Sequence, residues 1–359
     1  MGEITNKQLS LVEWLARVNY KNINELRVED DSKRERLEFL SNIINIKFDK
    51  QDKFPALDFF NSSTFEIKDY ISKKISVPCS FRLVSNDPLL PKLRVRGKSL
   101  NDNIEWLKQQ KVDLSKYELH IGPHVDPIFS TIFIIAANGI QGEIIKGAHN
   151  ELTQGYTNSN IMSFFFDFNN WNFSNNSLEL QEEIKKTVSN LVVNDISKQD
   201  LIKEKLDGEF INNYLLGYFE STTWPNNDIV FIDYNRILYK DINTFSNVGN
   251  SNELSGQIAN RGLVRGFVKL VSNNNLYLDI NNDEILVCDM TSIEYLPLMS
   301  KSLGVITSRG GILSHAAIVC RELKKPCLVG VYDVINKLNN KDFIELDANN
   351  GIIRKLSNL

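Results

Sequence analysis

Three shortages in this sequence narrow what it can be. No stretch approaches the roughly 18 consecutive apolar residues that span a bilayer, and the opening MGEITNKQLSLVEWL lacks the basic, then apolar, then small-residue order of a secretory signal. Membrane insertion and export are therefore not expected, and a cytoplasmic protein is. Lys and Arg total 41 against 45 Asp and Glu, and the formal net charge is −4, with basic residues interspersed among acids rather than gathered in blocks. That distribution offers no electrostatic footprint for nucleic acid. Cysteine is scarce. Cys79, Cys288, Cys320 and Cys327 sit in apolar surroundings without a C-x-x-C pair, so they read as reduced, buried thiols rather than a disulfide frame or a zinc site.

What is present is the composition of a soluble globular chain, 42% hydrophobic and 24% charged over 359 residues, long enough for two or three domains. To about Lys74 the chain mixes helical spacing (LSLVEWLARV, ERLEFLSNIINI) with charged interruptions and shows no chemical motif. From Ile75 it turns to short β-rich runs, ISVPCSFRLVS, YELHIGPHV and STIFIIAANGIQGEIIKG, punctuated by Pro, Gly and Asn. An Asn-rich surface loop (169–177), a helical run LELQEEIKKTVSNLVVN and a further strand, NDIVFIDYNRILY, complete the region to residue 245. In SNVGNSNELSG, residues 246–256, apolar periodicity vanishes, as in a flexible connector. Past it, residues 257–359 alternate β-branched runs with one helical segment, the pattern of a compact β/α domain. The fold class expected is α/β and α+β, multidomain, in four parts: 1–74, 75–245, the linker, and 257–359.

The stretch TSRGGILSHAAIVCRELKKPCLVG, Thr307 to Gly330, concentrates the chemistry. A strand, a glycine turn, Ser314 as N-cap and a helix opening on His315 place one of only four histidines at a helix amino terminus. Unpaired N–H groups and the partial positive charge of that terminus disfavour imidazolium and welcome an anion. His315 would stay neutral and nucleophilic, while the Gly310-Gly311 backbone and Ser314 could receive phosphoryl oxygens. The competing account is an ordinary glycine turn with an incidental packed histidine.

This stretch closely resembles the phosphohistidine signature of the phosphoenolpyruvate-utilising enzymes, the pyruvate phosphate dikinase-like phosphotransferases. The resemblance implies that His315 is phosphorylated and that its domain swivels between a nucleotide site and an acceptor site. LVCDMTSIEYLPLM, Leu286 to Met299, resembles the family's stretch with a hydroxyl near the active imidazole, which places that role on Thr291; a helix cap is the plainer account. Arg321 could hold phosphate during docking or form a surface ion pair, and Glu322 shares the face of His315 by spacing.

The same resemblance implies an ATP-grasp-like donor site upstream. LGYFESTTWPNNDIVFIDYNR resembles its last segment, with Glu220 at a Glu position and Asp233 where the family has Gln; both are nucleotide and Mg²⁺ candidates. Asn235 stands where the family often has Arg. VPCSFRLVSND resembles a strand that places Arg82 on phosphate, and NGIQGEIIKGAHNELTQG resembles one that places Glu143 near the nucleotide. Lys92, Arg94 and Arg96 alternate at strand spacing, so one face would be positive toward a polyphosphate or simply solvated as a guarded edge. His120, His124 and His149 with Asp126 have no known zinc spacing and are expected to flank the cleft rather than bind metal.

The function implied is an ATP-dependent phosphotransferase with Mg²⁺ and ATP as cofactors: the β-phosphoryl group of ATP moves to His315 with AMP as product, then on to a small-molecule acceptor or a separate acceptor protein. The alternative is a phosphocarrier with a degenerate nucleotide site, loaded by a partner enzyme. No segment matches the barrel with which the family binds phosphoenolpyruvate, so its synthesis by this chain alone is not expected.

Overall fold

A computed structural model of the chain describes residues 23–85, 87, 90, 93–154, 161–241, 254–272, 279–291, 293–311, 314–331 and 333–356. Within these ranges the side chain of His315, among a few others, lies outside the described part, as do Lys92 and most of the expected linker, residues 246–253.

The chain opens with helices α1 (Ile23–Asp31) and α2 (Lys33–Ile44) and a two-residue strand β1 (Lys47–Phe48). A small lobe follows: β2 (Asp52–Pro55), α3 (Ala56–Asn61), α4 (Phe65–Lys74), β3 (Pro78–Val84), β4 (Leu93–Ser99), α5 (Leu100–Lys108) and β5 (Glu118–Pro123). Its antiparallel sheet has the order β2-β5-β3-β4 and packs Phe59, Phe81, Leu83, Leu107 and Leu119 beneath the helices. Strand β3 alternates strictly, with Cys79, Phe81 and Leu83 inward and Arg82 on the other face, the pattern of a sheet with one buried side.

The next elements are β6 (Phe129–Ala136), β7 (Gly139–Lys146), α6 (His149–Gln154), β8 (Met162–Phe166), β9 (Trp171–Phe173), α7 (Leu178–Ser189), α8 (Ile196–Leu206), the short pair β10 (Phe210–Ile211) and β11 (Tyr214–Leu215), β12 (Gly217–Thr223) and β13 (Ile229–Asn235). Seven strands form one sheet in the order β1-β13-β12-β6-β7-β8-β9. Period-2 alternation gives this sheet two different faces. On one, Phe133, Phe219 and Tyr234 stack as a cross-strand ladder with ring centroids 5.4 and 4.9 Å apart. On the other lie the polar residues of the site. The stretch before residue 75 is shared between the sheets: β1 and α2 pack on β13, while β2 is an edge of the small lobe.

The carboxyl-terminal part comprises β14 (Leu254–Ser255), β15 (Gln257–Asn260), β16 (Leu263–Val271), β17 (Glu284–Cys288), α9 (Leu296–Lys301), β18 (Gly304–Thr307), α10 (His315–Glu322), β19 (Cys327–Val329), α11 (Val334–Lys337), β20 (Phe343–Asp347) and β21 (Ile352–Lys355). Its eight strands run β14-β21-β20-β16-β17-β18-β19-β15, with four consecutive strands, β16 to β19, parallel. Residues 254–255, the end of the expected linker, are already a strand paired with β21. One core (Leu286, Met299, Val305, Ala317, Cys320) lies under α9 and α10, and a second (Ile285, Ile306, Leu328, Ile344, Leu346) fills the opposite side of the sheet. All four cysteines are buried and free.

Candidate active site

Parallel strands β17 and β18 end together, Cys288 beside Thr307, and ligands of such sheets sit beyond the carboxyl ends of the strands. The two loops that leave this edge are tied to each other: Ser308 N donates to Cys288 O at 3.0 Å, Arg309 N to Asp289 O at 2.9 Å, and Arg309 Nε pairs with Asp289 Oδ1 at 3.1 Å. Gly310 takes φ +93°, where an L side chain is strained, so the turn into α10 needs glycine there. Ser314 is the N-cap, its hydroxyl accepting from Ala317 N at 3.3 Å, and His315 is the first residue of the helix. Thr291 is buried on the loop after β17, and its Oγ1 has no hydrogen-bond partner among the described residues. Arg321 stands in the last turn of α10, six residues beyond His315, or about 9 Å along the axis.

Strand register builds the second half of the site. Ser163, Glu143, Ile132, Glu220 and Asp233 lie directly opposite one another across β8, β7, β6, β12 and β13, so all five share one face in a single row. The row begins at the carboxyl-terminal part of the chain. A methyl group added at Gly311 would overlap the Glu143 carboxylate, so the glycine loop is seated directly on it. Ser163 Oγ lies 3.5 Å from Glu143 Oε1 and accepts from Gln257 Nε2, on β15, at 2.7 Å. Ile318 of α10 is buried in the hydrophobic core of the large sheet, and Arg321, one turn on, shares that side of the helix. The glycine loop is thus docked on this row.

At the far end of the row the carboxylates are matched by basic side chains. Glu220 Oε2 lies 2.8 Å from His149 Nε2, and its Oε1 accepts from the Tyr218 hydroxyl at 2.5 Å. Burial alone would raise the Glu220 pKa, but His149, and after it Lys33 and Tyr218, hold it down to about 2. Asp233 Oδ2 accepts from Lys33 Nζ at 3.1 Å, and Lys33 also reaches Asp30 Oδ1 at 2.7 Å. Burial pushes Asp233 above the usual carboxylate range, Lys33 pulls it back, and Glu220 adds to the rise. Arg34 Nη2 meets Asp49 Oδ2 at 2.5 Å, and burial, opposed by Arg34, pushes Asp49 up to about 6.

The small lobe supplies a basic wall. Arg82 lies between Arg94 and His120 in register, on the sheet face opposite the lobe's core. Arg96, two residues along β4, feels Arg82 and Arg34 as like charges and Asp49 and Glu220 as opposite ones; burial first, then Arg82, lowers its pKa. It remains accessible to solvent while surrounded by these groups, which is the condition of a residue lining a cleft. The three arginines from the sequence, Arg82, Arg94 and Arg96, therefore form one wall, and Asp49 and Glu220 act on it as opposite charges at Arg96.

The histidines have separate surroundings. His120 pairs with Glu118 at 2.5 Å, His124 lies by Asp126 at 3.9 Å, and His149 lies by Glu220, so the histidines are dispersed. No group of three or more His, Cys, Asp or Glu suited to a metal occurs among the described residues. Asn235, in place of the family's Arg, accepts from Ile237 N and Leu238 N, both at 2.9 Å, while the adjacent Arg236 binds Glu29 of α1 at 2.7 Å. Lys33, Arg34 and Asp49 were not singled out from the sequence. Their only local signal, the Asp30–Lys33 spacing, is that of a common helix-surface ion pair.

A glycine loop at a parallel-strand edge leads into a capped helix that opens on histidine, and a polar row lies opposite. Residues 280–351 match the family described as PEP-utilising enzyme, mobile domain. A probable phosphoenolpyruvate synthase of Methanothermobacter thermautotrophicus is 36% identical over 100 residues, 28% of this chain and 15% of that protein. An uncharacterised phosphotransferase, YvkC, of Bacillus subtilis is 34% identical over 106 residues, 30% of this chain and 13% of its own. The matches thus span a small fraction of these relatives. Among solved structures, a RiPP-associated ATP-grasp ligase of Chryseobacterium gregarium in complex with ADP is 15% identical with a TM-score of 0.27, covering 60% of this chain and 55% of that one. No helix among the described residues is long and apolar enough to cross a membrane.

Proposed function

We propose that the protein is an ATP-dependent phosphotransferase in which His315 is loaded from ATP and then passes phosphate to an acceptor, a small molecule or a separate protein. The observation that carries this is the seating of Gly311 on Glu143, which brings the loop ahead of His315 to one end of the row that holds Glu220 and Asp233. Arg82, Arg94 and Arg96 would meet the polyphosphate, with Arg82 and Arg96 as rigid guanidinium donors. Mg²⁺ would be held by Asp233, whose Oδ1 is buried without a hydrogen-bond partner, and by Glu220, and would neutralise charge on the phosphate oxygens. Positioning and charge carry phosphoryl chemistry of this type.

In the loading step an imidazole nitrogen of His315 bonds to the β-phosphorus, and the bond from that phosphorus to the AMP oxygen breaks. The γ-phosphate must then leave to water or to inorganic phosphate. The amino terminus of α10 and the Gly310-Gly311 backbone favour an anion on the loop. The engagement of Glu220 by both Tyr218 and His149 favours a second reading, in which the nucleotide site is closed and a partner loads His315.

Incubation with Mg²⁺ and ATP labelled at the β or γ position separates the two. Acid-labile label from the β position on His315, with AMP released and labelling abolished in His315→Ala, is expected. Absence of label from ATP, with label appearing only when phosphoenolpyruvate or a partner is added, would sink ATP loading in favour of the carrier.

A further inference from the structure

We propose that the small lobe carries a linear anion track, the row Arg94, Arg82, His120 and Lys53, which binds a polyphosphate chain of more than three phosphoryl units. This rests on the reading of that wall as a phosphate site and extends it past a nucleoside triphosphate. The row is set by strand register. Arg82 stands directly opposite Arg94 on β4 and His120 on β5, and His120 stands directly opposite Lys53 on β2. Four basic residues therefore cross the whole sheet in one line, on the face away from the core of the lobe. Three strand spacings make the line roughly 14 Å long. Three phosphoryl groups joined by single oxygens do not reach that far.

Like charges directly opposite one another destabilise a sheet, so such a line is costly unless an anion covers it. The fold supplies little cover. Glu118 pairs with His120 but is itself half exposed, and Arg82 and Lys53 have no carboxylate partner among the described residues. Burial lowers the His120 pKa, Glu118 opposes the fall, and Lys53 and Arg82 add to it, so both cations are near enough to be felt. A guarded edge does not explain the row. Charges that blunt an edge belong on the outermost strands, yet Arg82 and His120 lie on β3 and β5, the inner two of the order β2-β5-β3-β4. Beside them on the same face Ser80 and Gly122 stand opposite each other, and their small size leaves the line open along that side. Among the described residues of these four strands no Phe, Tyr or Trp lies on this face, since Phe54 and Phe81 point into the core. Nothing there stacks on a base, so the row suits a bare phosphate chain rather than a nucleic acid. Arg82 and Arg94 offer planar forks to phosphate oxygens, and Lys53 adds a point charge at the end of the line.

The test is calorimetric titration of the full chain at fixed ionic strength with inorganic triphosphate, linear inorganic hexaphosphate and adenosine tetraphosphate, and separately with ATP and Mg²⁺. Hexaphosphate should bind at least ten-fold tighter than triphosphate, the gain of one further charge-assisted contact. Lys53→Gln should remove most of that gain and leave triphosphate binding unchanged, and His120→Gln should lower hexaphosphate binding several-fold. Lys53 is exposed, so its variant should fold even if that of His120 does not. Lys68→Gln, which removes the same charge from α4 on the helical side of the lobe, should change neither affinity. Adenosine tetraphosphate matching hexaphosphate assigns the chain to a nucleotide, and weaker binding assigns it to an inorganic polyphosphate; either supports the track. Equal binding of the two inorganic chains by the wild type overturns it, as does a loss in Lys68→Gln as large as in Lys53→Gln. ATP bound normally alongside that result leaves the nucleotide-site reading standing. Tight hexaphosphate with no binding of ATP and Mg²⁺ instead sinks the nucleotide-site reading and keeps the track.

Discussion

Glu143 sits where two parts of the molecule meet, and its carboxyl responds to that position. Burial pushes its pKa up to about 7 from the ordinary 4.5, with the Ser163 hydroxyl pulling weakly the other way. An acid raised in this way binds its proton more tightly in the docked, folded state than in the unfolded chain. Its contribution is therefore fully present below about pH 4.5, falls as pH rises toward 7, and amounts to roughly 3 kcal/mol at most. Thermal stability followed by calorimetry should decline across that window, and Glu143→Gln should flatten the decline. Retention of the full pH dependence in Glu143→Gln would assign the effect to another group. At the same scale, Glu220 stays ionised throughout, since its pKa is held near 2.

At the scale of elements, α10 and the loop before it form one working part. The Ser314 cap satisfies a helix-end donor, so Ser314→Ala should cost about 1 kcal/mol of stability, read from denaturant unfolding. Gly311 is constrained from outside its own domain. Gly311→Ala drives a methyl group into the Glu143 carboxylate, so labelling of His315 from ATP should fall at least ten-fold while the carrier domain stays folded. Glu143→Ala removes the obstacle, and the double variant should recover part of the loss in docking, measured as energy transfer between dyes on the two halves. Strictly additive effects would show that the residues do not meet. Strand β12 is a second such part: its alternation sends Phe219 into the aromatic ladder and Glu220 into the cleft, so a one-residue slip would exchange core for site.

For the whole molecule, the docked arrangement is secured by a polar contact, Gln257 to Ser163 at 2.7 Å, and by Ile318 in the core of the large sheet. A histidine that is loaded at one place and unloaded at another requires both to be released. Cysteines at positions 163 and 257, bridged by a short thiol-reactive linker, should leave single-turnover labelling of His315 intact and block its discharge to any acceptor. Discharge at an unchanged rate in the bridged protein would mean that transfer occurs without movement of the carrier domain.

The sequence by itself determined the local parts. Thr307 to Gly330 reads as strand, glycine turn, cap and helix because each piece depends on neighbours within a few residues: φ at Gly310, the Ser314 hydroxyl, the apolar spacing of α10. The resemblance of residues 280–351 to the mobile-domain family was legible for the same reason. Tertiary structure alone decided what faces what. The five-residue row depends on the register of five strands, which no local pattern specifies across gaps as long as that between Ser163 and Glu220. Lys33 could not be told from a solvated helix residue, because its partner Asp233 is two hundred positions away. The spacing of His120, His124 and His149 argued against a metal cluster, but which carboxylate each would lie beside, Glu118, Asp126 and Glu220, was decided by the fold. Charges act through space on whatever the fold brings within a few ångströms, so the chemistry of the row belongs to the packing rather than to any stretch of the chain.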